Sequence, residues 1–190
     1  ERLPQLADIS VRVEAASGFR LEPVGGLIEP REFLESLADG VFCATQFVRD
    51  AKVPFAAPEP DVIHELLGHA ATLADPMIAE LNRAFGCAAL EADDEQLDRI
   101  ARAYWFTLEH GIVLENGTPM AFGAALLSSA SELEAYNVGA ELRPWNLFAV
   151  SATVFDPPAL QRLRFVAPSY HRLCADTKSW LELGGWKHVR

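Results

Sequence analysis

Two histidines and two glutamates carry the most pointed chemistry in this sequence: His64, Glu65 and His69 in the run HELLGH, and Glu109 further along the chain. In the HExxH zinc motif four residues separate the imidazoles; a helix turns by roughly 400° over that distance, so both rings fall on one face. Here the separation is five residues. A regular helix turns by roughly 500° over five, which leaves the rings about 140° apart. To share a metal ion the chain has to start or distort its helix here, and Gly68 is the residue that would permit it. Candidates for a third ligand are Glu65, inside the motif, and Glu109, four residues after Trp105 at the edge of an apolar helical face. A carboxylate buried there without a partner costs on the order of several kcal/mol unless a cation neutralises it. The competing reading of Glu109 is a salt bridge to an arginine or a side chain turned to solvent, and that of the histidines an ordinary buried or capping pair. Two neutral imidazoles and one carboxylate on iron(II) would leave adjacent coordination positions open, as oxygen activation requires. A zinc-hydrolase reading runs against the five-residue spacing.

These residues need elements to position them. Residues 56–60 (AAPEP) resist helix because each proline restrains the residue before it, so Asp61 can cap a helix holding both histidines. Between Asp93 and His110 the apolar residues Leu97, Ile100, Ala101, Tyr104, Trp105 and Leu108 recur at three and four positions, an amphipathic helix ended by Gly111. Asp75 and Pro76 open another helix as cap and first-turn proline. Ile112 to Leu114 and Pro119 to Phe122 flank Asn116-Gly117, a two-residue hairpin signal. A short helix with a serine cap is expected over residues 128–136. Upstream, a helix from Pro4 to about Ala16 stops at Gly18, an extended piece covers Phe19 to Val24, Gly25 and Gly26 are flexible, and a second helix runs from Pro30 to Leu37. Val41 to Val48 fits strand or helix. The tail reads as helical around Ala159 to Arg164 and again over Tyr170 to Leu183. The fold class is mainly α (α+β): packed helices and loops with short strands and one hairpin, in one domain spanning residues 1–190.

The chain has 190 residues, half of them hydrophobic, and a formal charge of −11. Such a charge disfavours nucleic acid, which is held mainly by lysine and arginine on phosphates, and no basic amphipathic segment suggests a membrane surface. No apolar run reaches the roughly 20 residues of a membrane span. Cys43, Cys87 and Cys174 lack CxxC spacing and read as reduced thiols of a cytoplasmic protein. The start at Glu1, without a signal peptide or initiator methionine, is expected of a piece trimmed from a longer polypeptide.

PEPDVIHELLGH, YWFTLEHG and AFGAALLSSASEL, with the upstream GFRLEPVGGLIEPREFL and FCATQFVRD, resemble the catalytic domain of the pterin-dependent aromatic amino acid hydroxylases, the phenylalanine, tyrosine and tryptophan hydroxylases. The blocks match in order and spacing from about Leu3 to Glu132, and more loosely through segments such as RLRFVAPSY. The resemblance implies that His64, His69 and Glu109 bind Fe(2+). It implies that Gly26, Leu27 and Ile28, with Phe33, hold tetrahydrobiopterin or a related tetrahydropterin, and that Glu65 and Tyr104 approach the pterin from the iron side. Arg49 would clamp the substrate carboxylate in bidentate geometry. Pro60 and Trp105 would wall the pocket for the substrate ring. Ser128 would orient the first iron histidine or help hold the substrate, with Glu132 in the same polar layer. Glu65 and Ser128 are thus the side chains given catalytic roles.

The implied activity is a monooxygenase: dioxygen and a free aromatic amino acid are the substrates, and the reduced pterin is the two-electron partner that takes one oxygen atom while the other enters the ring. Phenylalanine is favoured over tryptophan because Trp105 keeps the bulkier residue of the phenylalanine and tyrosine enzymes. The expected assembly is a monomer or small homo-oligomer. Departures from the family pattern are Cys43 in place of a histidine beside the pterin, Ala57 in place of a threonine, Phe122 in place of a tyrosine, Ala125 in place of a glycine and His110 in place of a phenylalanine. They leave room for a relative with another substrate or ring position, such as tryptophan or the meta carbon of phenylalanine, or for a non-catalytic homologue.

Overall fold

In a computed structural model the described residues are 4–50, 52, 60–136, 138–155 and 161–187. Helix α1 (Leu6–Ser17) ends where Gly18 takes a left-handed conformation and its amide returns to the Glu14 carbonyl. Strand β1 (Arg20–Val24) follows, then α2 (Pro30–Ser36) with its proline in the first turn, and β2 (Val41–Thr45). Val41 to Val48, open between strand and helix in the sequence, therefore begins as a strand. It pairs in parallel with β1, from Arg20 opposite Val41 to Val24 opposite Thr45.

The histidine segment is not a regular α-helix, although it lies at a helix start, with His64 in the first turn. His64–Ala70 is a π-helix, running on into the short α3 (Ala71–Leu73). Its i→i+5 hydrogen bonding brings residues five apart into line, which is the distortion that the histidine spacing demands. Gly68 serves packing here, not backbone freedom: a Cβ on it would sit 2.8 Å from the Ala124 carbonyl oxygen. Asp61 accepts a hydrogen bond from the His64 amide at 3.1 Å, as an N-terminal cap should.

Helix α4 (Pro76–Glu91) starts at an Asp75 cap, and α5 (Asp94–Tyr104) at a full capping box between Asp93 and Gln96. The end of α5 also widens into a π segment, Trp105–Glu109, closed by the His110 amide on the Trp105 carbonyl at 2.8 Å. Strands β3 (Ile112–Glu115) and β4 (Thr118–Ala121) form the hairpin expected around Asn116 and Gly117, both at positive φ. Helices α6 (Ala124–Ser128) and α7 (Ala130–Ala135) follow, the second capped by the Ser129 side chain.

After β5 (Glu141–Pro144) and α8 (Leu147–Ala152) the structure departs from the sequence expectation of a helix around Ala159 to Arg164. Leu163–Ala167 is strand β6, and residues 156–160 lie outside the described ones. Pairing decides this: β6 lies parallel to both β3 and β5, completing a sheet ordered β4-β3-β6-β5. Helix α9 (Tyr170–Glu182) ends the described architecture before a final 3-10 turn. One hydrophobic core joins these elements, with Phe42, Phe85, Ile100, Phe106, Phe165 and Trp186 fully buried or nearly so. Among the described residues no helix is long and apolar enough to cross a membrane.

Candidate metal centre

The two π segments aim three ligand atoms at one point. One nitrogen each from His64 and His69 and one oxygen from Glu109 lie within 4.8 Å of one another, the one such cluster among the described residues. The His69 Nε2 is 2.8 Å from the His64 Nε2 and 3.1 Å from Glu109 Oε1, and His64 Nε2 is 3.7 Å from Glu109 Oε2. Glu65, the other candidate third ligand, is turned elsewhere. Gly123 makes room behind Glu109: a Cβ there would fall 2.2 Å from the Glu109 carbonyl oxygen.

The electrostatics suit a cation. Burial, then the neighbouring His69, push the His64 imidazole down to about 4, so it is neutral near pH 7. Burial works against the Glu109 charge, yet His69, with His64 and His110, holds its carboxyl down to about 2. Burial likewise opposes charge on His69, but Glu109 outweighs it and raises the imidazole's pKa. Two ring nitrogens face to face beside a buried carboxylate need a positive charge between them. Two imidazoles and one carboxylate suit a divalent first-row metal and leave the rest of its shell open.

Ser128 fixes the ring of His64. Its hydroxyl donates to the Ala124 carbonyl at 2.7 Å, and its oxygen lies 2.9 Å from His64 Nδ1. With the hydroxyl proton on the Ala124 carbonyl, the matching His64 tautomer donates from Nδ1 and leaves the Nε2 lone pair to face the cluster. Asp61, wholly buried, grips Arg49 through two hydrogen bonds while capping the histidine segment. Burial works to raise the Asp61 carboxyl, but Arg49 and the His64 amide hold it below the ordinary range.

The Glu65 carboxyl points at β2. Its Oε1 accepts from the Thr45 amide and the Thr45 hydroxyl, each at 2.9 Å, and its Oε2 is buried with no partner among the described residues. Burial raises its pKa. The same Thr45 hydroxyl is 2.6 Å from the carbonyl oxygen of Pro60, which is half-buried. Phe33 stands edge-on to Phe42 and to Tyr104, and Phe42 lies 4.5 Å from the His69 ring, so the aromatic side of α2 reaches the cluster through one intermediary. The Tyr104 hydroxyl is turned to Asn82 at 3.3 Å, and its buried ring packs edge-on with Phe33 and Phe85. Gly26, Leu27 and Ile28 lie in irregular backbone between β1 and α2, with Leu27 exposed.

Trp105 is held more firmly than its sequence position suggests. Phe155 stacks on its ring at 4.4 Å between centroids, and the His110 ring lies tilted by 32° at the same distance. Its indole N–H donates to Gln161 at 3.2 Å. Glu132 is engaged by Arg164, which is 1% exposed and whose Nε and Nη1 find no partner among the described residues. Sequence reasoning missed Thr45, Gln161, Phe155 and Arg164 as parts of this site, because nothing in their spacing marks them. Ala57 falls outside the described residues.

A helical domain that carries two histidines and a glutamate on paired π segments defines a class of protein built around a mononuclear metal. The sequence profile of the biopterin-dependent aromatic amino acid hydroxylases matches residues 1–183, and the chain belongs to that family. It is 38% identical to tyrosine 3-monooxygenase of Schistosoma mansoni over 97% of this chain and 40% of that protein. It is 41% identical to phenylalanine-4-hydroxylase of Dictyostelium discoideum over 90% of this chain and 39% of that one. The chain therefore spans about 40% of the length of these curated relatives. Among solved structures, phenylalanine hydroxylase of Colwellia psychrerythraea 34H superposes with a TM-score of 0.86 at 26% identity, covering 100% of this chain and 76% of that one. The Chromobacterium violaceum enzyme with bound iron(III) and 7,8-dihydrobiopterin gives 0.84 at 29% identity, covering 96% and 68%.

Proposed function

We propose that this chain is the catalytic domain of a non-haem iron(II), tetrahydropterin-dependent monooxygenase that hydroxylates the ring of a free aromatic amino acid, with phenylalanine favoured. The observation that carries the reading is the convergence of His64, His69 and Glu109 from two π segments, with ligand atoms close enough to share one ion. When bound, iron and the reduced pterin supply the activation of dioxygen. The chain's own residues supply positioning. Ser128 keeps a proton on His64 Nδ1, so that Nε2 stays free for the metal. Arg49, braced by Asp61, presents a guanidinium to the amino acid carboxylate and ties that grip to the histidine segment through the Asp61 cap. Glu65, with Oε1 occupied by Thr45, offers Oε2 to the pterin held by Gly26, Leu27, Ile28 and Phe33. Pro60 and Trp105 limit the ring pocket, while Ser128 and Glu132 complete its polar side.

Unpaired thiols fit a reducing, cytoplasmic setting, and a monomer or small homo-oligomer is the assembly proposed. A second reading, another substrate or ring position, draws support from His110, a buried imidazole packed against Trp105 where the family pattern has phenylalanine. Anaerobic reconstitution with iron(II) and a tetrahydropterin, followed by oxygen and product analysis with phenylalanine, tyrosine and tryptophan, tests both. No oxidised amino acid under any condition sinks the first reading, and para-hydroxylated phenylalanine as sole product removes the second.

A further inference from the structure

Three parts of the candidate site meet at the last residue of β2. Thr45 is 5% exposed, and it ends the parallel ladder opposite Val24, the residue from which the chain enters Gly25 to Ile28. Its amide is not spent on the ladder but donates to Glu65 Oε1. Its hydroxyl, with one proton, sits between two acceptors, that same Oε1 at 2.9 Å and the Pro60 carbonyl at 2.6 Å. A second link runs alongside, the Val62 amide on the Phe47 carbonyl at 2.8 Å. We propose that Thr45 is a positioning residue that ties the pterin-facing carboxyl of Glu65 to the substrate-facing backbone at Pro60, holding cofactor and amino acid in one registry. The inference rests on the function proposed above.

The amide donates to Oε1 and the hydroxyl divides its one proton between Oε1 and the Pro60 carbonyl, so together they hold the Glu65 carboxyl against both β2 and Pro60 and leave Oε2 as the atom able to meet a donor. Without the hydroxyl the amide alone would pivot the carboxyl, and the Pro60 carbonyl, half-buried, would lose its partner. Pterin geometry and amino acid geometry would then be coupled only through the Val62–Phe47 link. The consequence is oxidation of pterin that is not matched by hydroxylation of substrate.

Thr45→Val removes the hydroxyl and keeps the β-branched shape; Thr45→Ser keeps the hydroxyl. In iron-loaded protein, binding of a non-reacting 7,8-dihydropterin is measured by calorimetry with and without phenylalanine, and turnover is scored as product formed per pterin oxidised. Thr45→Val is expected to weaken dihydropterin binding about tenfold, in line with loss of a hydrogen bond to a buried carboxyl, and to lower the product-to-pterin ratio at least about twofold. Thr45→Ser should stay within about twofold of the parent on both measures. A Thr45→Val protein with the parent's melting temperature, dihydropterin affinity and product ratio overturns the proposal. Should Thr45→Val not fold, Thr45→Ala against Thr45→Ser makes the same comparison, and equal values for the two overturn it likewise. A parent that binds neither iron nor dihydropterin rejects the proposed function itself, and this inference with it; an active parent matched by Thr45→Val rejects Thr45 alone.

Discussion

The hydroxyl of Ser128 has one proton, and the Ala124 carbonyl at 2.7 Å takes it. What remains toward His64 is a lone pair, and that decides which imidazole nitrogen carries hydrogen. Removing such a partner of a metal-binding histidine weakens metal affinity by about 10- to 100-fold. Ser128→Ala is therefore expected to bind iron(II) weaker by that factor in a chelator competition, with an unchanged fold by circular dichroism; unchanged affinity would show that another contact sets the tautomer. At this scale the sequence was informative where a residue acts through its neighbours in the chain. Asp61 was readable as a cap because a proline-rich run precedes it and an apolar run follows. Thr45 and Arg164 were not, since a threonine in FCATQFVRD and an arginine in RLRFVAPSY acquire their roles from partners 20 and 32 residues away.

Among the elements, the π segment His64–Ala70 turns an apparent misfit of spacing into convergence. Its register depends on α6, which lies so close that Gly68 has no space for a Cβ beside Ala124. Gly68→Ala is expected to destabilise the protein by about 1–3 kcal/mol, as overpacking does, and to lower the melting temperature by roughly 2–4 °C per kcal/mol. Because α6 also carries Ser128, iron affinity should fall in parallel. Leu67→Ala, at a position 59% exposed, should change stability by less than about 0.5 kcal/mol and serves as the control. A Gly68→Ala protein as stable as the Leu67 variant would mean that α6 can yield. The same distinction separates legible from illegible elements. Asp75-Pro76 and Asn116-Gly117 announce a helix start and a hairpin through local backbone chemistry alone. Neither the widening of α5 into Trp105–Glu109 nor the strand at Leu163–Ala167 has a local cause; the strand exists because β3 and β5 flank it.

Across the whole molecule, stability should respond to two titrants, hydroxide and metal. Burial pushes the Cys174 thiol up to about 12, at a site 2% exposed beside Tyr170. Its contribution is complete below the unfolded thiol's pKa, near pH 9. Between there and about pH 12 the unfolded chain has released this proton while the native one keeps it, so stability falls by about 1.4 kcal/mol per pH unit. Denaturant unfolding from pH 8 to pH 10.5 should therefore show a shallower loss for Cys174→Ala than for the parent, and equal slopes would dismiss the thiol as a source. Iron acts in the opposite direction. His64, His69 and Glu109 hang from two segments that both end in the core, with His69 against Phe42 and Glu109 next to buried Leu108, so an ion bound by all three adds a common tie to elements already joined by the His69–Glu109 contact. An ion that binds only the native state at 100 times its dissociation constant stabilises by about 2.7 kcal/mol, roughly 5–10 °C in melting temperature for a chain of this size. Iron(II) added anaerobically should raise the melting temperature by that amount, a chelator should reverse it, and Glu109→Ala should abolish the rise; a rise that persists in Glu109→Ala would place the bound ion elsewhere.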